Sequence, residues 1–177
     1  MIRGAKYTLP STLGEISAID NMKVDVDVKE LSGNVRGLVD GVLEKEDSSN
    51  SSGLVRLNLS VVNYSKDTID INDGKIFRIR FNSGYSKQTS EANKDEVTFP
   101  CNVKFAMSEE EVIDAYGQAD KVEDGKGYKV LIYQKDHGDK VVDEFKFVFN
   151  DDLDSGEYYL NDVEINMSDL AEMRANR

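Results

Sequence analysis

The chain has 177 residues, with 34 acids against 22 bases and a net charge of -12. That length suits one domain or two small ones. The charge disfavours nucleic acid and anionic lipid surfaces, both of which are held by basic stripes. Cys101 is the only cysteine, which excludes an internal disulfide and a cysteine metal cluster. No apolar run approaches the roughly 20 residues of a membrane span, so no membrane insertion is expected. The charge is lopsided: residues 106–177 hold 19 acids and 8 bases, residues 1–105 hold 15 and 14. Such an excess aids solubility or steers a basic protein partner. Behind its basic residues the start, Met1-Ile-Arg-Gly-Ala-Lys-Tyr7, has no apolar stretch and does not read as a signal peptide. The expectation is a cytoplasmic protein as written, or a cell-envelope one if a leader has been trimmed.

In chain order, Tyr7-Thr-Leu-Pro10 is a short extended lead-in. Thr12 and Glu15 are spaced as a capping box, with Leu13, Ile16 and Ile19 following, which predicts a helix ending near Asp20-Asn21. Gly14 in its first turn weakens it. Val24-Asp-Val-Asp-Val28 alternates like a half-buried strand, and Asn34–Glu44 holds another. Glu46–Gly53 is polar and reads as a flexible loop. Leu54–Tyr64 predicts a long strand with Val55, Leu57, Leu59 and Val61 on one face. Asp73-Gly74 predicts a two-residue hairpin turn between Ile69-Asp-Ile71 and a strand Ile76–Phe81. On that strand Phe77, Ile79 and Phe81 share one face, and Arg78 and Arg80 the other. Asn82–Asp95 is polar and reads as a mobile linker, and Val97–Val103 leads into the second half.

The second half is the better defined. Ser108 and Glu111 form another capping box, and Glu109–Glu111 sit where the helix dipole favours acids. Val112, Ala115 and Tyr116 face the core, and Gly117 is the expected left-handed stop. Three strands follow, at Tyr128–Tyr133, Glu144–Asn150 and Tyr158–Met167, with Phe145, Phe147 and Phe149 as a core stripe on the middle one. Ser168 is placed to cap a short terminal helix. At an offset of about 96 residues Leu9 meets Phe105, Thr12 meets Ser108, Glu15 meets Glu111 and Ile16 meets Val112, a pattern of pseudo-repeat. The fold class is therefore α+β: two halves, 1–95 and 96–177, each with short helices packed on one face of an antiparallel sheet.

Residues able to carry chemistry are few. A catalytic thiol at Cys101 needs a base, and His137 is the only histidine. Beside Pro100, Cys101 reads instead as a small buried hydrophobe, and His137 as an exposed turn residue. Asn150-Asp-Asp-Leu-Asp-Ser-Gly156-Glu157 is calcium-like in composition, but glycine falls at position 7 of the loop, not 6, and Asn161 holds position 12. Asp151, Asp152 and Asp154 are thus weak metal candidates, and no cofactor is expected. The same three acids, Tyr158, Tyr159, Arg78 and Arg80 are the candidates for binding a protein. Arg78 and Arg80, with Lys75 and Arg56 nearby, read either as a basic patch or as the polar outer face of a sheet.

The run Ser108-Glu-Glu-Glu-Val-Ile-Asp-Ala-Tyr-Gly117, with Leu131-Ile-Tyr133, Phe145-Lys-Phe-Val-Phe149 and Val163-Glu-Ile165, resembles the repeat of β-lactamase-inhibitor-protein-like domains. It is similar to small bacterial envelope lipoproteins and to two-domain proteins of Gram-positive bacteria. The family usually has a proline two residues after the helix-ending glycine; here Gln118-Ala119 follow. The resemblance implies a helical segment on one face of a short antiparallel sheet, and action by binding proteins instead of catalysis. The leading expectation is a non-enzymatic protein-binding module. The alternative is a cation- or small-molecule-responsive sensor using the Asn150–Glu157 turn.

Overall fold

Both capping boxes form as the sequence dictates. In α1 (Leu13–Ser17) the Thr12 hydroxyl accepts from Glu15 N–H, while the Glu15 carboxylate accepts from Thr12 N–H at 2.8 Å. In α3 (Glu109–Tyr116) Ser108 and Glu111 exchange the same two bonds, at 3.2 and 2.7 Å. Gly117 ends α3 at φ 90°, a left-handed value that carries no Cβ penalty in glycine. The first helix is shorter than its spacing suggested; it stops at Ser17, although Ile19 stays in the core. The computed structural model describes residues 1, 2, 4, 6, 9, 11–44, 54–138, 142–152 and 156–167. The expected loop Glu46–Gly53, the terminal helix from Ser168 and most of the lead-in Tyr7–Pro10 lie outside the described residues.

The remaining elements are β1 (Ser11–Thr12), β2 (Met22–Asp25), β3 (Glu30–Leu31), β4 (Arg36–Leu43), β5 (Val55–Val62), β6 (Ile69–Asp70), β7 (Lys75–Asn82) and α2 (Lys87–Asn93). After α3 come β8 (Lys121–Gly125), β9 (Tyr128–Asp136), β10 (Val142–Asp151) and β11 (Tyr158–Asn166). Among the described residues, one antiparallel sheet runs in the order β2-β4-β5-β7-β11-β10-β9-β8, with β1 added on β7, and β3 pairs with β6 separately. The protein is α+β, with a large antiparallel sheet and short helices. Each half is a capped helix followed by a meander, and the last strands of the two meanders, β7 and β11, pair with each other. The sheet and one hydrophobic cluster run across the position between residues 95 and 96 that separates the two halves in sequence.

The alternation on Leu54–Tyr64 buries Val55, Leu57, Leu59 and Val61 completely or nearly so. Ile16 from α1 and Val112 from α3 join that cluster, so both helices lie on the same face of the sheet. On α3 the Tyr116 ring meets Tyr133 at 5.0 Å, Phe147 at 5.1 Å and Phe145 at 6.3 Å between centroids. Those separations suit edge and tilted aromatic packing.

Four sequence expectations are corrected. Asp73-Gly74 makes no hairpin: Asp70 accepts from Asn72 N–H and closes a 3-10 turn over Ile71–Asp73, and β6 pairs with β3. Gly74 has φ -60°. A Cβ there would stand 3.0 Å from the Ile71 carbonyl oxygen, so the glycine serves a close approach and not a positive φ. Asn82–Asp95 is no linker but contains α2, capped by Ser86, whose buried positions are the polar Ser90 and Asn93. The second meander has four strands, the extra one being the polar edge strand β8. Last, β7 has a bulge: Val61 pairs with Ile76 and Ser60 with Arg78, which leaves Phe77 as the extra residue. The buried set on β7 is accordingly Ile76, Ile79 and Phe81, because a bulge shifts the face of the residue it adds.

Candidate functional site

Two surfaces and one groove follow from this architecture. The face of the sheet opposite α1 and α3 is built from the residues that alternate with the core. In a sheet, directly paired residues share a face, so the row Leu38–Ser60–Arg78–Asn166 and the row Asp40–Asn58–Arg80–Glu164–Lys146 cross it. Leu38 is 84% exposed. Near it the Arg36 guanidinium lies 4.7 Å from the Phe77 ring centroid. The bulge accounts for this pairing, since it takes Phe77 out of the buried set. Arg56 reaches Tyr85, 79% exposed, at 5.5 Å from its ring and 3.2 Å from its hydroxyl.

Arg78 and Arg80 lie on this face but are not a bare basic patch. Arg80 forks onto Asp162 at 2.8 and 3.0 Å through Nε, and its second arm closes to 2.7 Å. Arg78 meets Glu164 at 2.7 Å. Hydrogen bonds to these carboxylates hold both guanidiniums above their ordinary range. The Asp162 side chain is only 2% exposed, so Arg80 compensates a buried charge. Further along the second meander, Lys146 binds Glu144 at 2.8 Å. Burial pushes Glu144 up, but hydrogen bonds from Lys146 and Gln134 outweigh it and the carboxyl ends below its usual range.

The described part of the acidic turn is held by its own backbone and by Lys87. Asp151 accepts from Gly156 N–H at 2.8 Å, Asp152 N–H donates to the Glu157 carbonyl at 3.1 Å, and Glu157 pairs with Lys87 at 3.1 Å. Asp154 lies outside the described residues. Among the described residues no three histidine, cysteine or carboxylate side chains converge as metal ligands. Tyr158 is half-buried with the Lys129 ammonium 5.6 Å from its ring. Tyr159 is in the core and offers no surface to a partner. Of the helix-start acids, Glu111 serves the cap and Glu109 pairs with Lys129 at 2.6 Å.

Cys101 is exposed, against the expectation of a buried hydrophobe. Pro100 opens a 3-10 turn over Pro100–Asn102, and Cys101 takes φ 56° there, so Phe99 and Val103 occupy the core positions instead. His137 bonds Asp143 at 2.7 Å.

A groove on the helix side was not legible in any stretch of the chain. It has a volume of about 790 Å³ and crosses the β7–β11 junction. Phe81, Phe99, Phe145 and Ile165 line its apolar part, and Lys6, Lys135, Asp143 and Cys101 also border it. Phe145 thus leaves the core role expected of its stripe, which Phe147 and Phe149 keep. The lining comes from β7, β10, β11, the first residues and the Val97–Asn102 segment, which are far apart in the chain.

Comparison with known proteins finds no matching protein family, curated protein or solved structure.

Proposed function

We propose that the chain is a non-catalytic protein-binding module acting through the uncovered sheet face of its first half. The observation that carries this reading is the cluster of Leu38, Arg36 on Phe77, and Arg56 on Tyr85. Arginine, aromatic residues and a central apolar anchor are the chemistry of interface hot spots. The two arginine–aromatic pairs hold long side chains in place before a partner arrives, which lowers the ordering cost of association. The resemblance to β-lactamase-inhibitor-protein-like repeats, whose members bind proteins, points the same way. The partner is a protein surface, since Arg78 and Arg80 already spend their charge on Glu164 and Asp162.

The test is site-specific photo-crosslinking in the native host, with the crosslinker at position 38 and, as control, at exposed Val122 of β8. The expected result is one discrete adduct from position 38, lost in Arg56→Glu at unchanged melting temperature, and none from position 122. Adducts of equal yield from both positions, or none from position 38, would overturn the reading.

A further inference from the structure

We propose that the groove on the helix side is a binding site for a single-chain anionic amphiphile, its tail in the apolar trough and its carboxylate at Lys6 and Lys135. Three observations lead there. First, about 790 Å³ falls within the range of sites for small organic ligands, which are concave and mostly apolar with few polar groups. Second, the walls are Ile79, Phe81, Phe99, Phe145, Ile165 and Met167, a set of aromatic and flexible side chains that accepts an alkyl chain without demanding hydrogen bonds. Third, the rim is cationic on balance, with Lys6 and Lys135 against the single carboxylate of Asp143. Asp143 is engaged by His137 at 2.7 Å, whereas Lys6 and Lys135 border the groove and form no ion pair with a described residue. In a chain of net charge -12, two cations at the mouth of an apolar trough select an anionic headgroup over a cationic one.

This site is on the face opposite the Leu38 patch and does not depend on the protein-binding reading. Cys101, exposed and on the groove wall, supplies a reporter in the unaltered chain. The modification rate of Cys101 by N-ethylmaleimide is measured with dodecanoate and with dodecyltrimethylammonium, each below micelle formation. These ligands share a tail and differ in head charge. Dodecanoate is expected to slow modification at least tenfold and the cation to leave it unchanged. The double variant Lys6→Glu, Lys135→Glu changes exposed positions only, and its melting temperature confirms folding. It should lose the dodecanoate effect and gain protection by the cation. Equal protection by both amphiphiles, no protection by either, or dodecanoate protection that survives the double reversal would each overturn the proposal.

Discussion

The two halves follow one plan and present different chemistry on the uncovered face. Each starts with a helix closed by a capping box that buries aliphatic residues in the common cluster, Leu13 and Ile16 from α1 and Val112 from α3. Their outward rows diverge. The first half sets arginines on aromatic rings beside an exposed leucine. The second sets lysines against carboxylates, as in Lys146–Glu144, over buried Val130 and Ile132. The lesson is that inward and outward positions of a strand answer to separate demands, so two halves of one plan tolerate outer surfaces of unlike chemistry.

The comparison can be broken hardest at the helices. Val112→Asp places an unpaired charge at a fully buried site and should cost about 4 kcal/mol. Ile16→Asp should cost nearly as much if the shorter α1 is docked as firmly. Urea unfolding of both variants checks this, and a loss under about 0.5 kcal/mol at either site would show that its helix is not packed on the sheet.

Next comes the seam. Arg80→Ala strands the buried Asp162 carboxylate, with only Asn82 at 3.3 Å as a described side-chain partner. The expected cost is about 3 kcal/mol. Asp162→Ala should cost about half that, because Arg80 is 45% exposed and can turn to water. Equal losses would mean that the pair is not buried asymmetrically. Removing the caps is a smaller change: Ser108→Ala and Thr12→Ala should each lose about 1 kcal/mol in thermal melts. A similar loss at both would show that five-residue α1 depends on its box as much as eight-residue α3 does.

The smallest effect distinguishes α3 alone. Burial raises the Tyr116 phenol from its ordinary 10.0 to about 12. The folded state therefore holds that proton more tightly than the unfolded chain. Stability from this group is full below pH 10 and declines as pH rises toward 12. Absorbance titration should show a last ionisation near pH 12 that is lost in Tyr116→Phe, while Tyr133 and Tyr159, also raised by burial, still ionise above the ordinary range; persistence of the step near 12 would place that phenol elsewhere.

What the sequence displayed was local and periodic. Capping pairs at i, i+3 and the alternation from Val55 to Val61 specify their own geometry, so α1, α3 and β5 could be read directly. What it hid depends on partners distant in the chain. The sequence of α2 has no apolar stripe because its buried side is made of Ser90 and Asn93. Ser90 meets Ser83 at 2.7 Å, and Asn93 donates to the Ser83 carbonyl at 2.9 Å. The Asn161 bulge, opposite the step between Val148 and Phe149, turns its carbonyl to Ser83 N–H at 2.9 Å, a bond between segments that no short window contains. The same holds for the Arg80–Asp162 pair: each charge was visible, but not their register. Tyr159 failed as a surface candidate because it is buried although it alternates with inward Leu160 and lies outside the common cluster, a covering that no alternation pattern announces.

The pairing of β7 with β11 has a consequence for the order of assembly. Arg78 and Glu164, joined across this seam, stand 86 residues apart in the chain. During synthesis the first meander precedes β11, and among the described residues of the first half that edge of β7 meets β1 alone, at Ile76 and Lys75. An uncovered strand edge recruits other chains. Arg78 and Arg80, unneutralised at that stage, give the waiting edge a repulsive charge toward its own copies. The residues that later close the molecule thereby protect it before closure.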